Sequence, residues 1–422
     1  MENTAAKSVL SYVRRLERKH RVRELADFLD GYLTYVQNSE PSKTFHTWAG
    51  ISLLAGALQR KVKLIWGFEH LYPNLYVILV GPAGKARKGV ALGIAKNLLL
   101  NIPGVSVAAE SCTRESMILA MKRAISNYED PTTGKVKIHC SLTSFSEELS
   151  VLLGQSDVKL LANLCDWYDS KNVWTYETVG RGRDSLEGLC FNLLGATAPE
   201  WIQSMLPTEA IGGGFTSRCI FIVEENKGKI VPKHQLTSEE TDLEHILERD
   251  LEKISQLKGQ FTFSSDGSKC YEEWYTEQEH LISIGQPAVE DPRFAAYCER
   301  RATHIRKLAM ILSASKRDDL VIDHNDFHRA VEILTFAERK MGYTFGGLGK
   351  YKHSDSQEKI LNYIERLKIT TRSAVLAKFH RDLDANILLE IERTLEQMGV
   401  ISVQYNLQTR EKIYRWIDKR AE

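Results

Sequence analysis

The chain has 422 residues, 43% of them apolar and 26% charged, with a net charge of +1. That length allows about two to three domains, the composition is that of a soluble globular protein, and the balanced charge excludes a globally basic nucleic-acid binder, so any such surface must be local. Seven cysteines, at 112, 140, 165, 190, 219, 270 and 298, form no C-x-x-C pair; this argues against a disulfide framework and a zinc site and fits a reducing cytoplasm.

Residues 1–60 read as an N-terminal helical region. Residues 1–24 carry seven lysines or arginines against three acids, so no signal peptide is expected. The basic stretch is either a solvated helix face or a contact for nucleic acid or another subunit. A second helix is expected at about 44–59, TFHTWAGISLLAGALQR. No apolar run approaches the ~20 residues of a membrane helix, and no membrane partner is expected.

Residues 61–232 alternate short apolar runs with helical segments. Strands are predicted at 75–80, 105–109, 141–145, 173–178, 189–196 and 218–223. Runs apolar on both faces indicate a largely parallel, buried sheet, so the fold class is α/β. Residues 233–340 switch to helical periodicity and read as an all-α subdomain. Residues 341–356, rich in glycine, serine and charge, read as a linker. Residues 357–422 show three helices, the second capped by Thr370 or Thr371, and then a β-hairpin, which is the layout of a winged helix. Its charge is nearly balanced, so protein is as good a partner for it as DNA.

The most informative stretch is YVILVGPAGKARKGV at 76–90. A buried strand, Tyr76 to Val80, runs into a turn of Gly81, Pro82, Ala83 and Gly84. A basic cluster of Lys85, Arg87 and Lys88 follows, and then a helix. Strand, glycine turn, lysine and helix are the parts of a phosphate-binding loop, or P-loop: glycines let backbone N–H groups converge on phosphate oxygens, and the helix N-terminus adds positive potential. The strict pattern has a second glycine where Ala86 stands and a hydroxyl after the lysine. Here Gly89 and Val90 follow Lys88, so no hydroxyl is offered to Mg²⁺. An ordinary strand–turn–helix connection is the plain alternative.

Nucleotide hydrolysis also needs acids at a strand end beside such a loop. The segment SLTSFSEEL supplies Glu147 and Glu148. One would hold Mg²⁺, directly or through water, with Glu147 the expected metal residue; the other would polarise the attacking water. In LCFNLLGATAP, Thr197 is placed to orient that water, while Asn192 fits a satisfied polar group inside the strand. Arg218 follows a triple glycine and opens the next strand, where it is either an arginine finger for a neighbour's phosphate or a salt-bridged surface residue. Arg181 and Arg183 are rival fingers or DNA-loop residues. Arg300, Arg301 and Lys307 form a basic stripe on one helix.

Taken in order, TFHTWAGISLLAGAL, YPNLYVILVGPAGKARKG, FSEEL, DWYDSKNVWTYETVGRG, NLLGATAPEWI, GGGFTSRCIFIVE and ERRATHIRKLAMIL resemble the primase-helicase-like P-loop ATPases of bacteriophages and mobile elements. The resemblance covers about residues 40–340. It implies a RecA/AAA+-type motor that uses ATP and Mg²⁺, assembles as a homo-oligomeric ring, expected to be a hexamer, and translocates on single-stranded or forked DNA in the cytoplasm of a bacterial host. A primase or other replication proteins would be partners. It also implies roles: Lys88 as the phosphate lysine, Glu147 and Glu148 as the acidic pair, Thr197 as the sensor, Arg218 as the finger in trans. Val90 departs from the hydroxyl residue that members often carry. The rival expectation is a replication initiator or helicase loader that uses ATP as a switch and binds DNA through its winged helix.

Overall fold

The computed structural model describes residues 22–154, 157–180, 182–206, 212–233, 235–345, 354–379, 385–406 and 411–417. The basic segment expected to be helical lies, up to residue 21, outside them, as do Arg181 and residues 346–353 of the expected linker. The chain forms two compact units, one ending at Phe345 and one beginning at Gly346. It is α/β, with fourteen α-helices among the described residues and mixed sheets that contain parallel strands. No described helix is long and apolar enough to cross a membrane.

The strands, in chain order, are β1 (Val62–Trp66), β2 (Glu69–Leu71), β3 (Tyr76–Val80), β4 (Ile125–Glu129), β5 (Val136–Ser146), β6 (Val173–Thr178), β7 (Gly182–Glu187), β8 (Leu189–Thr197), β9 (Cys219–Val223), β10 (Gly259–Phe263), β11 (Val321–Ile322), β12 (Ile369–Thr371), β13 (Ile401–Asn406) and β14 (Glu411–Trp416). The main sheet runs β4-β5-β8-β3-β9. Strands β5, β8, β3 and β9 are parallel, and β4 is antiparallel to β5. Every residue of β3, β8 and β9 is buried. This is why those segments are apolar on both faces: helices cover both sides of a parallel sheet.

The helix Lys43–Leu58 packs on this sheet with Phe45, Trp48 and all of Ala49–Leu58 buried, and Ser42 caps it by accepting from the Phe45 N–H. Asn192 ties helix to sheet from inside β8. Its Oδ1 accepts from the Leu75 N–H at 2.9 Å and its Nδ2 donates to the Ser52 carbonyl at 3.0 Å. It is the satisfied core polar group that its position in an apolar run suggested.

Three segments differ from the sequence expectation. Residues 105–109 reach β5 only as a single parallel bridge, Val107 to Thr143. The 173–178 segment is a strand, but it pairs with β7 as a separate two-stranded antiparallel ribbon. Its burial alternates, with Trp174 buried between exposed Val173 and Thr175, unlike the two-sided burial of β3. The region 233–340 is not all-α. Between its amphipathic helices, β10 and β11 join β1 and β2 in a four-stranded sheet of order β11-β10-β1-β2, with β10 parallel to β1. A five-residue strand between two long helical patterns is too short to signal itself by periodicity.

The start of the expected linker also belongs to the first unit, since Thr344 and Phe345 are fully buried. The second unit has helices Ser354–Leu367, Arg372–Lys378 and Ala385–Gln397, and a sheet of order β12-β14-β13. Thr371 caps the middle helix, its hydroxyl accepting from the Ala374 N–H. The core is Ile360, Ile364, Val375, Leu388, Ile391, Leu395, Ile401 and Tyr414. The short strand β12 was not foreseen; it pairs with β14.

Three histidines are buried neutral. His304 donates from Nε2 to the Ser217 carbonyl and accepts at Nδ1 from the Tyr168 hydroxyl, both at 3.1 Å. Burial holds its pKa down to about 3. Burial likewise lowers His46 and His139 to about 4 each. All three folded-state values lie below the unfolded value, so the unfolded chain binds more protons and stability falls as pH drops below about 6.5. Each histidine costs about 1.4 kcal/mol per pH unit in that window. The unfolding midpoint should therefore fall continuously from pH 7 to pH 4.5 in denaturant or thermal scans. A midpoint that stays level over that range would contradict the buried neutral state.

Candidate functional site

The site is built where β3 ends. The Gly81 N–H donates to the Thr197 carbonyl at 3.2 Å, and the Val80 carbonyl accepts from the Glu224 N–H at 3.0 Å, so the turn is anchored on both flanking strands. A side chain at Gly81 would place its Cβ 2.3 Å from the Glu224 carbonyl oxygen, so only glycine fits there. Gly84 has φ +67°, in the left-handed region. Ala86 is fully buried, so a methyl group packs under the turn where the strict pattern has glycine. Arg87 is left-handed too, at φ 57°, and precedes the helix Lys88–Leu100 with no capping hydrogen bond from its side chain. The N–H groups of that helix end carry partial positive charge.

Lys88 opens the helix and turns back over the loop. Its ammonium donates to the Gly81 carbonyl at 2.5 Å and the Pro82 carbonyl at 3.2 Å. Burial lowers its pKa, while Glu148 and Glu200 act the other way. Lys85 is exposed, and Val90 is 46% exposed with no hydroxyl beside it in the helix turn. Arg87 is drawn aside by Glu40, Nε to Oε2 at 2.8 Å.

Parallel register brings the other residues here. Val80 pairs with Thr197 across β3 and β8, and Ser146 pairs with Gly195 across β5 and β8. The carboxyl ends of the three strands therefore lie side by side, with β8 between the turn and the acids. Glu147 and Glu148 follow Ser146 and are exposed, and their carboxylates make no hydrogen bond among the described residues. Glu147 reaches toward the helix start, since a Cβ on Gly89 would lie 3.5 Å from its Oε2. Thr197 is buried, with its hydroxyl donating to the Ala198 carbonyl at 3.3 Å. A cavity of about 400 Å³ is lined by Ala83, Gly84, Arg87, Lys88, Gly89, Val90, Glu147, Glu148, Ala198 and Trp201. Among the described residues no three His, Cys, Asp or Glu side chains converge as a metal cage.

Arg218 is not in this cavity. It precedes Cys219, which pairs with Tyr76 at the start of β3, so it lies at the opposite end of the sheet. It is buried and committed: Nε and Nη2 donate to Asp169 at 3.1 and 2.6 Å, and Nη1 donates to the Gly214 carbonyl at 2.8 Å. The expected basic stripe of Arg300, Arg301 and Lys307 is divided. Arg301 forms a buried ion pair with Glu338 at 2.8 Å, and Lys307 is buried on Asn74. Arg183 is exposed on β7.

Sequence reasoning missed several residues of the site. Glu200 and Trp201 come just after Ala198 and Pro199, at the start of a helix with Pro199 in its first turn, and that helix-start signal was there to read. Glu40 gave no signal. It gathers Arg87, Lys227 at 2.5 Å and the Gly228 N–H at 2.9 Å from segments far apart in sequence. Beyond it a second cavity, of about 480 Å³, lies between Thr34, Gln37, Ser39, Pro41, His46 and Gly228.

Comparison with protein families finds no family model that matches this chain, and comparison with curated proteins finds no significant match.

Proposed function

We propose that the chain is a P-loop ATPase acting as a DNA helicase or translocase in a phage-like replication system, working as a ring. The observation that carries the nucleotide reading is convergence. A glycine turn with an inward lysine, an uncapped helix N-terminus and two free carboxylates share one cavity at the carboxyl ends of three parallel strands. The crevice outside the carboxyl ends of a parallel sheet is where α/β proteins bind ligands, and a helix N-terminus with an adjacent lysine suits phosphate. The cavity beyond the Arg87–Glu40 pair has room for a base and sugar.

Mg²⁺ binds through one or two carboxylates, phosphate oxygens and retained waters, so two free acids fit it without a dedicated cage. Glu147, which reaches toward the helix start, would hold the ion, which when bound neutralises charge on the phosphates. Lys88 would exchange its carbonyl partners for phosphate oxygens. Glu148 would take a proton from the attacking water as the terminal phosphate leaves ADP.

The DNA reading rests on the ordered motifs and on two features. The β6–β7 ribbon stands apart from the main sheet, with Val179 fully exposed at its tip and Arg183 on its flank. The second unit has three helices and the antiparallel pair β13–β14, parts that a winged helix would use. Val90, which supplies no hydroxyl for the metal, favours a slower ATP switch, the initiator or loader reading. ATPase turnover separates them. A motor gives strong stimulation by single-stranded or forked DNA together with strand displacement; a switch gives slow turnover with site-specific DNA binding.

Lys88→Ala should abolish ATP binding or turnover, and Lys85→Ala should leave most of both, measured by nucleotide titration and phosphate release. The reverse pattern would place the phosphate lysine at 85. Glu147→Gln and Glu148→Gln should each retain ATP binding and lose about 10²–10⁴ of turnover, the usual contribution of a positioned acid or base. Full turnover in both would remove the acids from the reaction.

A further inference from the structure

Glu40 stands where two cavities of the first unit meet. Its Oε2 accepts from Arg87, which lines the phosphate-loop cavity of about 400 Å³. Its chain neighbours Ser39 and Pro41 line the cavity of about 480 Å³, as does Gly228, whose N–H donates to the Glu40 carbonyl at 2.9 Å. The charged groups around that larger cavity are already provided for. Asp30 is paired with Arg329 at 2.7 Å, and burial keeps His46 neutral by lowering its pKa to about 4. Lys43 and Lys229 are exposed, and an ammonium group that keeps its hydration demands no anion.

The segment that carries Glu40 is braced on both sides. The Ser39 hydroxyl donates to the Val36 carbonyl at 2.7 Å and therefore accepts from His46 Nε2 at 2.6 Å. Ser42 caps the helix that follows. A Cβ on Gly228 would lie 3.0 Å from the Pro41 carbonyl oxygen, so the chain at Gly228 packs directly against this segment. The carboxylate itself is fixed. Oε1 accepts from Lys227 at 2.5 Å and faces the Val231 N–H at 3.5 Å. The hydrogen bond from Lys227 holds the carboxyl below its ordinary pKa, so at neutral pH it is ionised and only accepts. Each carboxylate oxygen can take about two donors, and among the described residues Oε2 has Arg87 alone. An ordinary surface ion pair is loosely held and contributes little. This one is half-buried, held from several segments, and has an acceptor site to spare.

We propose that Glu40 accepts a hydrogen bond from the 2′-hydroxyl of the bound nucleotide, so that the chain selects ribonucleoside over deoxyribonucleoside triphosphates. This rests on the nucleotide reading above. In a nucleotide the sugar is the only link between phosphates and base. Phosphates on Lys88 with the base in the larger cavity put the sugar at the partition between the two, and that partition is the Arg87–Glu40 pair. The 2′-carbon adjoins the carbon that bears the base, so its hydroxyl falls on the side of Ser39 and Pro41, where Glu40 is. A site built to bind a substrate hydroxyl rejects the analogue that lacks it, because the acceptor is then left without its donor.

The test titrates ATP and 2′-deoxy-ATP calorimetrically into the full chain. The wild type should bind ATP about 10- to 100-fold more tightly, the effect of one hydrogen bond to a charged group. Glu40→Ala should make the two affinities equal, and Glu40→Gln, which keeps a neutral acceptor, should recover part of the ratio. The ratio is the readout, because a loosened loop weakens both nucleotides alike. Equal affinities in the wild type, or a wild-type ratio in folded Glu40→Ala, would overturn the proposal, and the first of these needs no variant to fold. Equal binding of the two nucleotides that Lys88→Ala abolishes leaves the nucleotide reading standing and removes the sugar contact alone. A wild-type chain that binds neither nucleotide sinks both.

Discussion

The structure depends on one alignment: β8 lies between β3 and β5, parallel to both, with Thr197 opposite Val80 and Gly195 opposite Ser146. A slip of one residue in a strand buried on both faces would exchange its two sets of side chains and strand Asn192 away from Leu75 and Ser52. Asn192 thus pins the register from within, at 2.9 and 3.0 Å. Because the strands end together, the Thr197 carbonyl can hold the Gly81 N–H while the chain beyond Ser146 exposes two carboxylates to the same space. The turn's shape then follows from the neighbour on its other side, where the Glu224 carbonyl leaves room for no Cβ at Gly81.

The same sheet separates two populations of cations. At the carboxyl end, Lys88 and Arg87 are only partly buried, and their present partners are carbonyls and one carboxylate. At the amino end, Lys307 and Arg60 are buried on carbonyls and aromatic rings, and Arg218 on Asp169. Asn74 joins these: it receives Lys307 on its carbonyl and Oδ1, and its Nδ2 donates to the Tyr168 carbonyl at 2.9 Å and the Phe191 carbonyl at 3.2 Å. Truncating a residue that satisfies this many buried groups would leave several unpaired at once, which is costlier than losing any one bond.

Much of this was legible in the sequence, for physical reasons. Strands buried on both faces announce themselves as apolar runs, so β3, β8 and β9 were read close to their bounds. The cap of the middle helix was narrowed to Thr370 or Thr371, because a threonine hydroxyl before a helix start can accept from a free N–H, and Thr371 is the one that does. Other features were not readable. β10 is five residues between long helices, and its partner β1 lies almost two hundred residues earlier in the chain. The stripe of Arg300, Arg301 and Lys307 looked uniform because spacing along a helix does not say what packs against it. Only tertiary contacts divide it into an ion pair with Glu338, a buried ammonium and one uncommitted guanidinium. Glu40 was invisible for the same reason, since its role is set by partners up to 191 residues away.

The proposed chemistry places unusual weight on the acids. In a phosphate loop with a hydroxyl after the lysine, the metal is gripped from the loop side as well as from the acid strand. Here Val90 offers that side only methyl groups, and it is Glu147 that reaches toward the helix start. Positioning of the ion would then fall to one carboxylate and its waters, on a chain segment that leaves the sheet immediately after Ser146. The Ser146 hydroxyl donates to the Glu148 carbonyl at 3.0 Å and stiffens that exit. A reaction that depends on fixed charges needs such a brace, because reorganising a loose carboxylate at the moment of attack costs rate. The hydrogen bond between Ser146 and Glu148 therefore does for the acid side what the Gly81–Thr197 hydrogen bond does for the lysine side: each holds a segment that has just left the sheet in register with β8.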